Sequence, residues 1–181
     1  MRVIGGEARG RRLVAPDLPT LRPTSDRVRE AIFDILEARQ LVEGATVLDL
    51  YAGSGALGIE ALSRGAASCT FVDSDRRAIT AIEQNLASVG FAGRPGVRAV
   101  RADVVSFLGS TDDPVGLGLV DPPYRFSGWA ELLERLRAEV AVLEHGSPLD
   151  VTGGFDTIRS YRYGGTLVTL VSRHPTDKDP A

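Results

Sequence analysis

The chain has little cysteine, little histidine and no long apolar run. Cys69 is the single cysteine, which excludes an intrachain disulfide and a cysteine-based metal cluster. It stands in the short apolar stretch Ser68-Cys69-Thr70-Phe71-Val72, where a small buried strand residue is expected. The two histidines, His145 and His174, stand apart from any ligand set, so no metal is expected. No apolar segment approaches the roughly 18 to 20 residues of a membrane helix. The opening Met1-Arg2-Val3-Ile4-Gly5-Gly6 lacks the apolar centre of a secretory signal, so a cytoplasmic location is expected. Internal repeats and low-complexity segments are also lacking.

What is present is a balanced composition, 43% hydrophobic and 25% charged over 181 residues, which fits one globular domain. The net charge of -3 conceals an uneven distribution. Residues 1–29 carry seven arginines (Arg2, Arg9, Arg11, Arg12, Arg22, Arg27, Arg29) against Glu7, Asp17 and Asp26, and the remainder is acidic. A basic arm on an acidic body can place the phosphates of a polyanion at one face. A solvated, arginine-rich terminus is the plainer alternative. The expected organisation is a basic hairpin arm over 1–20, a main domain over 21–175 and a flexible tail over 176–181.

From Thr46 onward, short apolar runs alternate with amphipathic stretches, the pattern of an α/β fold with a parallel sheet. Strands are expected at 46–51, 68–73, 97–101, 118–121, 140–144, 157–162 and 166–172. Helices are expected at 57–64, 76–89 and 129–139, with a short one at 103–108. Only Tyr163-Gly164-Gly165 joins the last two strands, too short for a crossover helix, so they should form an antiparallel hairpin. Ahead of the sheet, residues 3–14 read as a hairpin bent at Gly5-Gly6 and Gly10. An amphipathic helix follows, with Val28, Ala31, Ile32, Ile35 and Leu36 on one face and Thr24, Ser25 or Asp26 as its cap.

The segment Asp49-Leu50-Tyr51-Ala52-Gly53-Ser54-Gly55-Ala56-Leu57-Gly58 reads as a strand end, a glycine turn and a helix start. Such turns bring backbone N–H groups close to a ligand. The spacing of Gly53, Gly55 and Gly58, with Asp73 at the end of the next strand, also satisfies a dinucleotide fingerprint. Asp49 favours a different ligand. A carboxylate beside this loop opposes a doubly anionic pyrophosphate but attracts the sulfonium and ammonium groups of S-adenosylmethionine (SAM). Asp73 is placed for ribose hydroxyls under either reading. Asp103 can receive an adenine amino group while Val104 offers a backbone N–H, and Asp103 can equally cap a helix.

Asp121-Pro122-Pro123-Tyr124 ends the fourth strand, at the sheet edge where open α/β folds bind ligands. The residue types suit methylation of an exocyclic amine on a nucleic-acid base. The Asp121 carboxylate and the Pro122 carbonyl can accept the two amino hydrogens, freeing the nitrogen lone pair for the methyl group. The prolines stiffen that carbonyl. Tyr124 can stack on an extruded base, an interaction worth about 1 to 3 kcal/mol. A strand-ending turn without catalytic role is the alternative.

Taken together, Arg2-Val3-Ile4-Gly5-Gly6, Arg9-Gly10-Arg11, Arg22-Pro23-Thr24-Ser25-Asp26-Arg27-Val28-Arg29-Glu30, the stretch from Asp49 to Ala66 and Asp121-Pro122-Pro123-Tyr124 resemble the RsmD family of ribosomal RNA guanine-N2 methyltransferases. The resemblance spans nearly the whole chain. Ser25 stands where a second threonine is commoner, and residues 146–155 match nothing assignable. It implies the seven-stranded, Rossmann-like SAM-dependent methyltransferase sheet and a guanine of small-subunit ribosomal RNA as substrate. It also implies that the arginine-bearing hairpin engages RNA and that Arg22-Pro23-Thr24 closes over the cofactor.

The candidate catalytic residues are therefore Asp121, Pro122, Pro123 and Tyr124. The candidate cofactor residues are Arg22, Pro23, Thr24, Asp49, Tyr51, Gly53, Ser54, Gly55, Asp73, Ser74, Asp103, Val104 and Asp121. Candidate RNA-binding residues are Arg2, Arg9, Arg11, Arg12, Arg27 and Arg125, the partner being a small-subunit particle and the enzyme a monomer. Spacing alone does not choose among guanine N2, adenine N6 and cytosine N4. A DNA amino-methyltransferase, a nicotinamide-dependent oxidoreductase and a non-catalytic RNA-binding factor stand as alternatives.

Overall fold

Strands covered on both faces need apolar side chains at successive positions, and this chain supplies them in short runs. The computed structural model describes residues 1–16 and 26–174. Its elements are α1 (Asp26–Ala38), β1 (Thr46–Leu50), α2 (Ala56–Ser63), β2 (Ser68–Asp73), α3 (Arg76–Val89), β3 (Val97–Arg101), α4 (Val104–Gly109), β4 (Val115–Val120), α5 (Trp129–Arg135), β5 (Ala138–His145), β6 (Phe155–Tyr163) and β7 (Thr166–Arg173). They build a seven-stranded sheet of order β3-β2-β1-β4-β5-β7-β6. The first five strands are parallel, and β7 runs antiparallel to both β5 and β6. This is the Rossmann-like methyltransferase architecture with the expected antiparallel end.

Alternation along the strands divides the core into two layers. Val47, Phe71, Leu117, Leu119 and Val142 pack with Ile32, Phe33 and Leu36 of α1, Ile59 and Leu62 of α2, and Ile82 and Leu86 of α3. Leu48, Leu50, Val72, Val120 and Leu143 pack on the opposite face with Val104 and Leu108 of α4 and Leu132 and Leu133 of α5. Burial of each such side chain stabilises the fold by roughly 1.5 to 3 kcal/mol. Helix α3 starts at Asp75, whose carboxylate accepts the Arg77 N–H, and stops at Gly90 in the left-handed region (φ 81°).

Two boundaries differ from the sequence expectation by three residues or more. Strand β4 begins at Val115 rather than Gly118, because Val115 N–H donates to the Arg137 carbonyl (2.8 Å) and Gly116 N–H to Thr46 Oγ1 (2.9 Å). Neighbours on both sides hold a glycine-containing segment whose own strand preference is weak. Helix α5 ends at Arg135 instead of 139, since Leu136 is extended (φ -64°, ψ 124°) and Ala138 already pairs with Val115.

The N-terminal segment has less regular pairing than a full hairpin. Its one bridge joins Arg2 and Arg12, supported by Val3 N–H to the Arg11 carbonyl (2.9 Å) and Leu13 N–H to the Met1 carbonyl (3.1 Å). Val3, Ala8 and Leu13 sink into the first core layer. The segment docks on α2, where Ser63 accepts the Glu7 N–H on its carbonyl and the Ala8 N–H on its hydroxyl. A Cβ at Gly6 (φ 71°) would lie 1.7 Å from that Ser63 carbonyl oxygen, so the docking requires glycine there. Arg22, Pro23, Thr24 and Ser25 and the tail 176–181 lie outside the described residues. Among the described residues no helix is long and apolar enough to cross a membrane, and no three metal-ligating side chains gather.

Candidate functional site

The registers of the central strands bring three loop starts to one level. Leu50 pairs with Val72 on one side and Val120 on the other, so Tyr51, Asp73 and Asp121 leave the sheet along a single rim. From β1 the order runs outward one way through β2 and β3, and the other way through β4 and β5. The crevice at this reversal is where open α/β sheets bind ligands.

The glycine loop fills that crevice through an unusual backbone path. Tyr51 (φ 58°), Gly53 (φ 55°) and Gly55 (φ 75°) are all in the left-handed region. Gly55 N–H donates to the Ala52 carbonyl (2.7 Å), and Gly55 stands as the N-cap of α2 without a side-chain cap. For Tyr51 this conformation costs on the order of 1 to 3 kcal/mol. It turns the ring against Phe126, with centroids 5.4 Å apart. Half-burial, and secondarily the charge of Asp103, push the Tyr51 phenol up to about 12.

Asp49 and Asp73 hold the loop from below and from the side. Asp49 is 1% exposed, and its Oδ2 accepts the Gly58 N–H at 2.8 Å. Burial raises its carboxyl well above the usual carboxylate range; the Gly58 N–H opposes this, and the charges of Asp121 and Asp73 add to it. Gly58 is obligatory, because a Cβ there would meet Phe71 at 2.3 Å, Cys69 Sγ at 2.6 Å and Asp49 Oδ2 at 2.9 Å. Asp73 accepts the Gly53 N–H on Oδ2 (2.9 Å) and the Asp75 N–H on Oδ1 (2.9 Å), while Ser74 between them is exposed. Cys69 is fully buried in β2, where burial, and then Asp49, push its thiol up.

Farther along the rim, Asp103 caps α4, accepting the Ser106 N–H at 2.9 Å, and this bond holds its carboxyl below the usual range. Val104 is buried behind it. Asp121 follows β4 with its N–H reaching the Leu50 carbonyl (3.4 Å), Pro122 is buried and Pro123 exposed. The Pro123 carbonyl accepts the Phe126 N–H at 2.8 Å, closing the turn and leaving Tyr124 at its crest with 74% exposure. An aromatic row leads away from it: Tyr51 to Phe126, Phe126 to Trp129 (5.3 Å) and Trp129 to His145 (6.1 Å). The rim thus gathers the Asp73 and Asp121 carboxylates, with Asp49 buried beneath, beside left-handed glycines and a flat aromatic wall. Such a site suits a cationic small molecule with hydroxyls next to a planar ring.

Several residues of the site escaped the sequence reading. Buried Asn85 of α3 donates to the Ser54 carbonyl (2.8 Å) and the Val14 carbonyl (2.9 Å) and accepts the Val14 N–H (2.7 Å), tying arm to loop. Ser54 Oγ also meets Met1 Sδ at 3.8 Å. Glu60 of α2 receives the Ile4 N–H (2.8 Å) and Gly5 N–H (2.7 Å) on separate oxygens. Arg29, counted as surface charge in the sequence, is fully buried beside Glu60 (3.6 Å) and donates to the Arg2 carbonyl (2.5 Å). Arg2, Arg9, Arg11, Arg12, Arg27 and Arg125 are exposed.

The chain matches the profile of a protein family described as Conserved hypothetical protein 95 over residues 1–172. It is 46% identical over 125 residues to the Ribosomal RNA small subunit methyltransferase D of Escherichia coli strain K12, covering 69% of this chain and 61% of that relative. It is 40% identical over 126 residues to YlbH of Bacillus subtilis strain 168, 69% of this chain and 67% of that one. Among solved structures, yhhF of Escherichia coli superposes with a TM-score of 0.84 at 35% identity, covering 97% of this chain and 99% of that chain. The aligned region spans about three-fifths of the Escherichia coli methyltransferase. With a profile match across the N-terminal segment, the glycine loop and the Asp-Pro-Pro-Tyr turn, this chain belongs to the RsmD family.

Proposed function

We propose that this chain transfers the methyl group of SAM to the exocyclic N2 amino group of a guanine in small-subunit ribosomal RNA. The observation that carries the proposal is the exit of Tyr51, Asp73 and Asp121 at one level of the rim, with Asp49 buried two residues behind Tyr51 on β1, beneath the glycine turn. The residues fit SAM. A buried carboxylate stands beneath the loop, left-handed Gly53 and Gly55 leave their Cα positions bare, and Asp73 retains lone pairs for ribose hydroxyls. When bound, SAM supplies a sulfonium-activated methyl group.

In this reading the chain's own residues do the rest. Asp49 lends negative charge to a site that would repel a pyrophosphate. Asp103 and Val104 meet the adenine, with Tyr51 and Ser74 completing the cofactor pocket. Asp121 and the Pro122 carbonyl accept the amino hydrogens of the guanine and turn its lone pair towards the donor, and Asp121 or water takes the proton released. Tyr124 stacks on the extruded base. Arg2, Arg9, Arg11, Arg12, Arg27 and Arg125 receive phosphates, and Arg22-Pro23-Thr24 closes over the cofactor. The enzyme works as a cytoplasmic monomer on a small-subunit particle. The RNA substrate is supported by the name of the Escherichia coli relative, and guanine N2 by the family resemblance.

Asp121→Ala tests the reading. The variant is expected to lose methyl incorporation into small-subunit particles while keeping particle binding within about twofold, as no phosphate-binding cation is removed. Normal turnover would refute the role given to Asp121.

A further inference from the structure

Gly146 follows β5, and Tyr124 follows the neighbouring strand β4, so the two leave the sheet side by side at the same rim. A Cβ built on Gly146 would lie 2.3 Å from Cε2, 2.6 Å from Cζ and 2.9 Å from Cδ2 of the Tyr124 ring. The ring therefore lies directly on the bare Cα of Gly146. Gly146 is not among the residues of positive φ, so its backbone does not itself call for glycine. The space taken by Tyr124 is what a side chain would invade.

The backbone of Gly146 is held from both sides. His145 Nδ1–H donates to the Ser147 carbonyl at 2.7 Å, closing the turn around Gly146. His145 Nε2 is hydrogen-bonded to the Thr169 hydroxyl at 2.8 Å, and Thr169 Oγ1 to the Ser160 hydroxyl at 2.9 Å. Thr169 is buried in β7, which pairs with β5. The turn is thus anchored to two neighbouring strands, whereas Tyr124 is largely exposed and has room to rotate. A side chain at position 146 would move the tyrosine ring, not the turn.

We propose that Gly146 is a positioning residue whose missing side chain seats the Tyr124 ring and thereby sets the plane on which the target base stacks. The proposal rests on the reading of Tyr124 as the base-stacking residue. It also gives residues 146–155, unassignable from sequence, one position with a role at the site.

The test is a double-mutant cycle of Gly146→Ala and Tyr124→Ala, read by steady-state methylation of unmodified small-subunit particles, by SAM calorimetry and by thermal unfolding. Gly146→Ala is expected to raise KM for the particle on the order of tenfold, equivalent to about 1.4 kcal/mol, with SAM affinity unchanged. Tyr124→Ala should raise KM at least as much, and adding Gly146→Ala to it should do nothing more, because the ring to be displaced is gone. If Gly146→Ala lowers thermal stability, Tyr124→Ala should restore it. Effects on KM that multiply in the double variant, unaltered KM in Gly146→Ala, or an unfolding defect that Tyr124→Ala does not relieve would overturn the role of Gly146 alone. Normal KM in Tyr124→Ala would overturn the stacking reading, and this inference with it.

Discussion

The Oδ2 atom of Asp49 accepts the Gly58 N–H at 2.8 Å across the glycine loop, so one buried side chain closes the loop from beneath. Burial raises this carboxyl, so folding holds its proton more tightly than the unfolded chain does. Stability from that preference is present at low pH and is lost as pH rises through the raised folded value. Asp49→Asn keeps an oxygen for Gly58 and removes the charge. Thermal unfolding across pH should show the wild type losing stability above the ordinary carboxylate range while Asp49→Asn does not.

Cofactor affinity should run the opposite way. A cationic ligand favours ionised Asp49, so SAM is expected to bind more tightly as pH rises through the same window. The neutral thioether of S-adenosylhomocysteine should show a weaker dependence. Asp49→Asn should weaken SAM binding by about tenfold or more, a loss of about 1.4 kcal/mol per decade. Calorimetry with both ligands checks this, and equal pH profiles would speak against charge attraction at Asp49.

Gly58→Ala places a methyl group among Phe71, Cys69 and Asp49 with no room to accept it. Overpacking of this kind costs typically about 1 to 3 kcal/mol. Denaturant unfolding should show that loss, accompanied by weaker SAM binding because the Asp49 bond to the loop is displaced. A variant with native stability would mean that α2 shifts more easily than its packing implies.

Glu60→Ala should be the most damaging of these substitutions. It removes the Glu60 partner of buried Arg29 (3.6 Å) and of Arg64 (2.8 Å), leaves Arg29 paired with Asp26 (2.9 Å), and deprives the Ile4 and Gly5 N–H groups of their acceptor. Leaving a buried charge wholly unpaired costs roughly 3 to 5 kcal/mol, an upper bound here because Arg29 keeps Asp26 and the Arg2 carbonyl. Hydrogen exchange at Ile4 and Gly5 should accelerate, reporting release of the N-terminal segment from α2. Unaltered exchange there would place the anchor elsewhere.

Replacing Arg9, Arg11 and Arg12 by alanine should leave stability nearly unchanged, since all three are exposed. RNA binding should weaken, and the slope of log affinity against log salt should flatten by roughly 0.7 for each phosphate of single-stranded RNA that is no longer neutralised. An unchanged slope would mean that this surface does not meet phosphate.

Much of the fold was legible because it depends on local pattern. Apolar runs such as Val47-Leu48 and Leu119-Val120 mark strands whatever their neighbours are, and the short Gly164-Gly165 link allows only an antiparallel turn. The glycine loop was legible for the same reason, as its backbone path demands glycine at fixed spacing. What was not legible depends on distant partners. Asn85 reads as one polar residue on an apolar helix face until Ser54 and Val14 are seen against it. Glu60 gave a faint signal, a lone acid within the otherwise apolar helix Ala-Leu-Gly-Ile-Glu-Ala-Leu-Ser. Arg29 looked like surface charge because its burial comes from the N-terminal segment folding back over it. Gly146 lacks any local mark, since its neighbour Tyr124 comes from another strand.

The most direct test of the account is incubation with methyl-labelled SAM and small-subunit particles that lack the modification, followed by nucleoside analysis of the recovered RNA. The account predicts label in N2-methylguanosine at a single position, and none when Asp121 is alanine. Label in adenosine or cytidine, or no label from a protein that binds the particle and SAM, would contradict it.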